Sequence, residues 1–416
     1  MRELLVDASE DPVTPEVLFA LQLRTAKEPL FPKVETFMCG NATEAFIPFI
    51  PSFLSHETTR IEIEFSDGLP ALTVASMITR LSMLCPDLDG ITLFPLPRDP
   101  IITEAVSELL LTCNHSLRQF RADSPLTEEA RKVAFQHPKL SELWVIIQGH
   151  TQIPPVTLPN ISLIELRYDD HLNWLQSFRG AILGRLENVF FSSESEQIGD
   201  FLGKFKTVAL TTSAPTTLLT FNFRTSQSWD PDYRSLLPFT QLKDLHIEFS
   251  CVDHCSSRVD DNIIIDLARA MPKLEILRLG DAPCKTIGGV TAKGLVALAR
   301  GCRHLSKLRI HFQTASLVEA ATGAGVPAPS DDETVVRRED CVLTDLEVGE
   351  IPIHRDTVLT IALTLLQIFP HLLNIEFDDW EWEGVVKHIG SVKGTRTDTP
   401  ECDSDVERCE VCGVCG

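Results

Sequence analysis

The residues best suited to chemistry in this 416-residue sequence are its 12 cysteines and 12 histidines. Four thiols, Cys402, Cys409, Cys412 and Cys415, crowd the C-terminal end and include two C-x2-C steps, a spacing that can grip zinc. A zinc knuckle separates its two pairs by a longer loop. Here the last three thiols sit almost together and no apolar residues follow to build a small core, so no metal site is expected. The run Cys251-Val-Asp-His254-Cys255 also groups two thiols with an imidazole. It follows a strand-like stretch and reads as loop. There is no G-x-S-x-G elbow, no phosphate-cradling glycine loop, no H-E-x-x-H and no dinucleotide fingerprint. We therefore expect no catalytic residue, no metal and no cofactor, hence a non-enzymatic protein. What remains is recognition chemistry. The cations Arg278, Lys307, Arg309 and His311 could meet an anionic segment, and Trp144 and Phe190 are large aromatics of the kind that anchor binding partners.

What would position these side chains is a repeat. The template is an apolar residue, two variable residues, an apolar residue, one variable residue and a third apolar residue. Its clearest copy is Met271-Pro-Lys-Leu274-Glu-Ile-Leu277-Arg-Leu279. Close matches are Leu242-Lys-Asp-Leu245-His-Ile247, Leu305-Ser-Lys-Leu308-Arg-Ile310, Leu372-Leu-Asn-Ile375-Glu-Phe377, Leu88-Asp-Gly-Ile91-Thr-Leu93 and Leu140-Ser-Glu-Leu143-Trp-Val145. Counting partial copies, starts fall at 34, 58, 88, 117, 140, 161, 186, 218, 242, 274, 305, 343 and 372, a mean spacing near 28 residues. Leucine-rich repeats run about 20–29 residues. In a strand alternate side chains face opposite ways, so Leu277 and Leu279 point into a core while Arg278 points to an open face.

Between strands, apolar residues three and four apart predict helices at Leu72–Cys85, Ile101–Cys113, Asp261–Met271, Thr291–Cys302 and Thr357–Phe369. Strand and helix in alternation predict an α/β leucine-rich-repeat solenoid, a horseshoe with parallel concave strands and outer helices. On that fold Arg278, Lys307, Arg309 and His311 cluster on the concave face. Asp244, His246 and Glu248 flank them on one side, and Asp345, Glu347 and Glu376 on the other. Cross-strand pairing with these acids is the expected outcome, with an anion site as the alternative. Trp380 and Trp382 are expected to cover the end of the core.

The solenoid is expected over residues 34–390. Residues 1–33 should form an N-terminal cap segment with one helix at Thr14–Arg24, about 314–340 a flexible insertion rich in Ala, Gly, Pro and charge, and 391–416 a disordered, cysteine-containing tail. The 37 basic and 59 acidic residues leave a formal charge of −22, which repels phosphate backbones, so no nucleic-acid partner is expected. No apolar run is long enough for a membrane span. The first residues lack the basic and apolar regions of a secretory signal. A cytoplasmic or nuclear protein with buried, reduced thiols is the expectation.

The N-terminal pieces Thr14-Pro-Glu-Val-Leu-Phe-Ala-Leu, Glu28-Pro-Leu-Phe-Pro-Lys-Val34 and Pro48-Phe-Ile-Pro-Ser-Phe-Leu54, with the more generic Gly301-Cys-Arg-His-Leu305, carry a further signal. They resemble the leucine-rich-repeat region of fungal, mushroom-type F-box proteins, over about Val13 to Phe377. The resemblance implies the substrate-recognition part of a ubiquitin ligase receptor. In that family an N-terminal F-box docks the Skp adaptor of a cullin ligase and the repeats hold the protein substrate. Met1–Leu30 has no Leu-Pro-x-Glu type opening, so no complete F-box is expected here, and Skp and cullin partners depend on an F-box upstream. The alternatives are an adaptor-free leucine-rich-repeat interaction protein and a GTPase-activating repeat protein.

Overall fold

The computed structural model describes residues 2–7, 17, 19–20, 23, 29–147, 157–168, 182–183, 186–193, 201–210, 214–225, 231–249, 259–280, 289–322, 341–349, 351, 353–377 and 380–393. It divides into two compact units, Met1–Arg258 with Asp266–Asp281 and Val259–Ile265 with Ala282–Gly416. The architecture is α/β with parallel strand pairing throughout.

In the first unit the strands are β1 (Glu3–Asp7), β2 (Thr36–Ala42), β3 (Arg60–Phe65), β4 (Gly90–Phe94), β5 (Gln119–Pro125), β6 (Glu142–Ile147), β7 (Thr157–Leu158), β8 (Leu163–Tyr168), β9 (Ile182–Leu183), β10 (Asn188–Ser193), β11 (Thr220–Thr225), β12 (Asp244–Phe249) and β13 (Ile276–Leu279). All but β7 and β9, which pair with each other, lie side by side in chain order. The unit's helices include α1 (Ala71–Leu84), α2 (Pro100–Cys113), α3 (Glu128–Phe135) and α4 (Phe201–Ala209).

Each strand of this run enters in the same way. The two N–H groups just before or at its first residue both donate to one carbonyl of the preceding repeat. Thr59 and Arg60 donate to Glu35, Asp89 and Gly90 to Thr59, Arg118 and Gln119 to Asp89, and Ser141 and Glu142 to Arg118. The same fork recurs as far as Glu275 and Ile276 on Lys243. Strand entry is therefore locked whatever the loop length, and uneven repeat spacing leaves the register flush at entry, although it shifts further along β2–β3 and β5–β6. A second ladder runs alongside. The Cys85 thiol donates to Ser55 O at 3.4 Å and the Cys113 thiol to Cys85 O at 3.6 Å, while His137 contacts Asn114 O through its ring. Burial pushes the Cys85 thiol up to about 12 and Cys113 to about 11, so neither is a nucleophile.

The second unit holds β14 (Lys307–Arg309), β15 (Asp345–Gly349) and β16 (Asn374–Phe377), with β15 between the other two. Single parallel bridges join Asp260 to Gly289 and Val290 to Phe312. The residues of helix α5 (Asp261–Ala270) are shared between the units. Helices α6 (Ala292–Gly301), α7 (Thr314–Ala321), α8 (Val358–Ile368) and α9 (Glu383–Lys393) belong to the second. Helix starts are written in the sequence. Asp99 Oδ1 accepts from Ile101 N at 2.9 Å ahead of Pro100, and Thr291 Oγ1 accepts from Lys293 N at 3.2 Å.

Within residues 1–33, Glu3–Asp7 form a strand parallel to β2. Two expectations need correction. The insertion does not begin at Thr314, since Thr314–Ala321 is a helix whose Leu317 is fully buried. Of the two tryptophans expected to cover the core, Trp382 is buried, donates from Nε1 to Ile351 O at 2.7 Å and packs edge-on against Phe312. Trp380 is 61% exposed, with the Arg355 guanidinium 4.8 Å above its ring. Most of the Thr14–Arg24 helix, the rest of the insertion and the tail lie outside the described residues.

Candidate partner-binding face

Along strands such as β5, β10 and β11, alternation buries one set of side chains and leaves the other partly exposed, as in the Val189–Phe190–Phe191 stretch of β10, whereas β4 and β12 also bury members of the second set, Thr92 and His246. The register then aligns the second set into a row across the sheet. It runs Glu62, Thr92, Arg121, Trp144, Glu165, Phe190, Asn222, His246 and Arg278. Both aromatics singled out in the sequence stand in this row, on strands separated by β8 alone.

Trp144 is the centre of a mixed cluster. Its ring stacks on Phe94 with centroids 6.3 Å apart and planes at 23°, and the Arg167 guanidinium lies 5.1 Å above it. Arg167 Nη1 donates to Asp123 Oδ1 at 3.1 Å, and its Nε stands 3.9 Å from Glu165 Oε1. Arg121 donates from Nη2 and Nε to Glu142 Oε2 at 2.6 and 3.1 Å, and Gln119 Nε2 donates to the other oxygen at 2.8 Å. Two groups are left poorly served. Desolvation holds the Glu165 carboxyl above its ordinary range, outweighing the pull of Arg167 and Arg121, and Asp123 adds to the rise. The Trp144 indole N–H is buried and has no acceptor among the described residues. A buried donor without a partner costs about 1–3 kcal/mol.

Further along the row, Phe190 is half-buried beside Asn222. Asn222 Nδ2 lies 3.2 Å from His246 Nδ1, and His246 Nε2 is 3.5 Å from Glu248 Oε2. Arg224 Nε donates to the same Glu248 oxygen at 2.6 Å. Arg278 follows His246 in register. Its charge draws the Asp244 carboxyl down, against the larger upward push of burial and a further push from Glu275.

The other three cations belong to the second unit, so the sequence-derived set is divided between the units. Lys307 is opposite Asp345, and Arg309 is opposite Glu347 with Nε 3.7 Å from Oε2. Asp345 is held below its ordinary range by hydrogen bonds from Asn374 and Thr344, with a smaller contribution from Lys307. His311 falls just past the end of β14 and is half-buried.

Sequence reasoning missed Phe94, Arg121, Glu165 and Arg167 as companions of Trp144. The signal was present, because each stands at a variable position beside an inward apolar residue, as in Ile164-Glu165-Leu166-Arg167. Selecting them needs the register between strands, which one sequence does not give. The cysteine clusters at 251–255 and 402–415 lie outside the described residues. No described helix is long and apolar enough to cross a membrane.

No protein-family model matches this chain, and no curated protein matches it in sequence.

Proposed function

We propose that this chain is a leucine-rich-repeat solenoid acting as a non-enzymatic scaffold that holds a protein partner on its open strand face. The observation that carries this reading is the row centred on Trp144. It combines a half-exposed aromatic pair, a buried indole N–H without an acceptor and a desolvated carboxylate. The aromatic pair and the carboxylate are features that a partner would complete. Aromatic and arginine side chains are enriched at binding hot spots, and the face carries both.

The narrower proposal is the substrate-recognition part of an F-box-type ubiquitin ligase receptor, which rests on the N-terminal resemblance. An adaptor-free interaction protein is the alternative. One experiment separates them. The full chain is expressed in its own cells beside Trp144→Ala/Phe190→Ala, with cross-linking mass spectrometry as the readout. The scaffold reading expects partner cross-links on strand-face residues that the double variant loses. Partner cross-links confined to helices α1–α3, or unchanged in the variant, would count against it. Co-purification of the Skp adaptor supports the ligase proposal, and its absence supports the adaptor-free one.

A further inference from the structure

We infer that the Trp144 end of the open face is built for an extended, basic protein segment, with a lysine or arginine on Glu165, a second on Glu62 and an apolar residue between them over Phe94 and Trp144. This deepens the scaffold reading and rests on it.

Charge supplies the first reason. Arg121 and Arg167 are each hydrogen-bonded to a carboxylate, of Glu142 and Asp123. They have little free charge to offer an anion. Glu165 feels Arg167, whose Nε stands 3.9 Å away, and more weakly Arg121, but accepts no hydrogen bond from either. Glu62 has Met38 and Thr92 opposite it in register, and Glu64 has Phe94. The unsatisfied charge on this stretch is therefore negative, as is the chain as a whole at −22. A cation-bearing partner relieves both and gains speed of encounter.

Geometry supplies the second. Glu62 and Glu165 are four strand steps apart along one register row. At ~4.8 Å per step that is about 19 Å, the span of about six extended residues. Phe94 and Trp144 lie between them, where the aliphatic stem of a long side chain or an apolar residue would pack.

The test is selection of random displayed peptides on the full chain, followed by affinity measurement of a recovered peptide by fluorescence anisotropy. The variants are Trp144→Phe, which keeps an aromatic ring but loses the larger indole surface, Glu165→Gln, and Glu108→Gln as a charge-matched control at an exposed position of α2. Circular dichroism confirms that each folds. The expected peptides carry two cations about six residues apart around an apolar residue. Glu165→Gln should weaken them about tenfold and Trp144→Phe about three- to tenfold, with Glu108→Gln within twofold. Recovery of acidic or neutral peptides, recovery of none, or equal binding by Trp144→Phe and Glu165→Gln would overturn the inference. Acidic peptides lost on Trp144→Phe would still leave the scaffold reading standing. Peptides indifferent to every strand-face change would count against both.

Discussion

Glu165 shows how a single side chain can be poorly suited to the fold and well suited to a partner. Its carboxyl titrates above the ordinary range because burial outweighs the two neighbouring guanidinium groups. Between the ordinary and the raised value the folded chain holds a proton that the unfolded chain has released. Stability therefore falls as pH rises through that window and stays lower above it. Arg121, Arg167, Asp123 and Glu142 are the charged groups around it, and all but Glu165 are already hydrogen-bonded. Glu165→Gln removes a charge that the fold holds at a cost. It should raise the urea midpoint at pH 7 and flatten the stability gain that the wild-type chain shows on acidification toward the ordinary carboxylate range. A lowered midpoint would show that its attraction to Arg167 outweighs its desolvation. Sequence alone could not single out this residue. Glu165 reads as an ordinary variable position until the register sets it beside Trp144.

At the scale of elements, α4 explains part of an unusual composition, 22 phenylalanines against 2 tyrosines. Phe201 and Phe205 stand one helical turn apart and pack into Phe191, Phe221, Phe223 and Phe239 from the strands and loop beneath, with centroids 4.5–5.8 Å apart. Phe205 touches rings from three different repeats, so its loss opens a void that no one neighbour can fill. Phe205→Ala should cost about 3–5 kcal/mol in urea unfolding, and a loss under 1 kcal/mol would mean that α4 is not anchored there. The strands themselves were legible. The observed strands begin two residues after the repeat starts read from sequence, from 34 and Thr36 through 274 and Ile276 to 372 and Asn374. The reason is physical: the first apolar residue packs under the turn, and the forked carbonyl bonds fix strand entry just after it. Strand β1 escaped although Met1, Leu4 and Val6 satisfy the template, because a single copy without a preceding helix carries little weight. Helix α7 escaped because Ala- and Gly-rich text after it masked Leu317, its one buried side chain.

For the molecule as a whole, among the described residues each strand's backbone pairs with the strands beside it, so a disturbance should stay largely local. The Asp261 clasp in the second unit offers a clean place to test this. Asp261 Oδ1 accepts the N–H of Thr291 at 2.8 Å and of Gly294 at 3.0 Å, and Oδ2 accepts the Thr291 hydroxyl at 2.6 Å. One carboxylate thus ties the start of α5 to the start of α6. A Cβ at Gly294 would stand 2.6 Å from Asp261 Oδ1 and 2.9 Å from Val290 Cγ1. Two effects then oppose each other in Gly294→Ala. Helix propensity favours alanine by about 1 kcal/mol. Overpacking costs about 1–3 kcal/mol, and here the carboxylate cannot swing aside without giving up its three hydrogen bonds. Packing should win. Hydrogen exchange should quicken in α6 and in β14–β16, and peptides covering β3–β6 should keep their wild-type rates. Faster exchange spread evenly over both units would show that the repeats unfold as one cooperative body, and a net gain in stability would show that the clasp yields more easily than its geometry suggests.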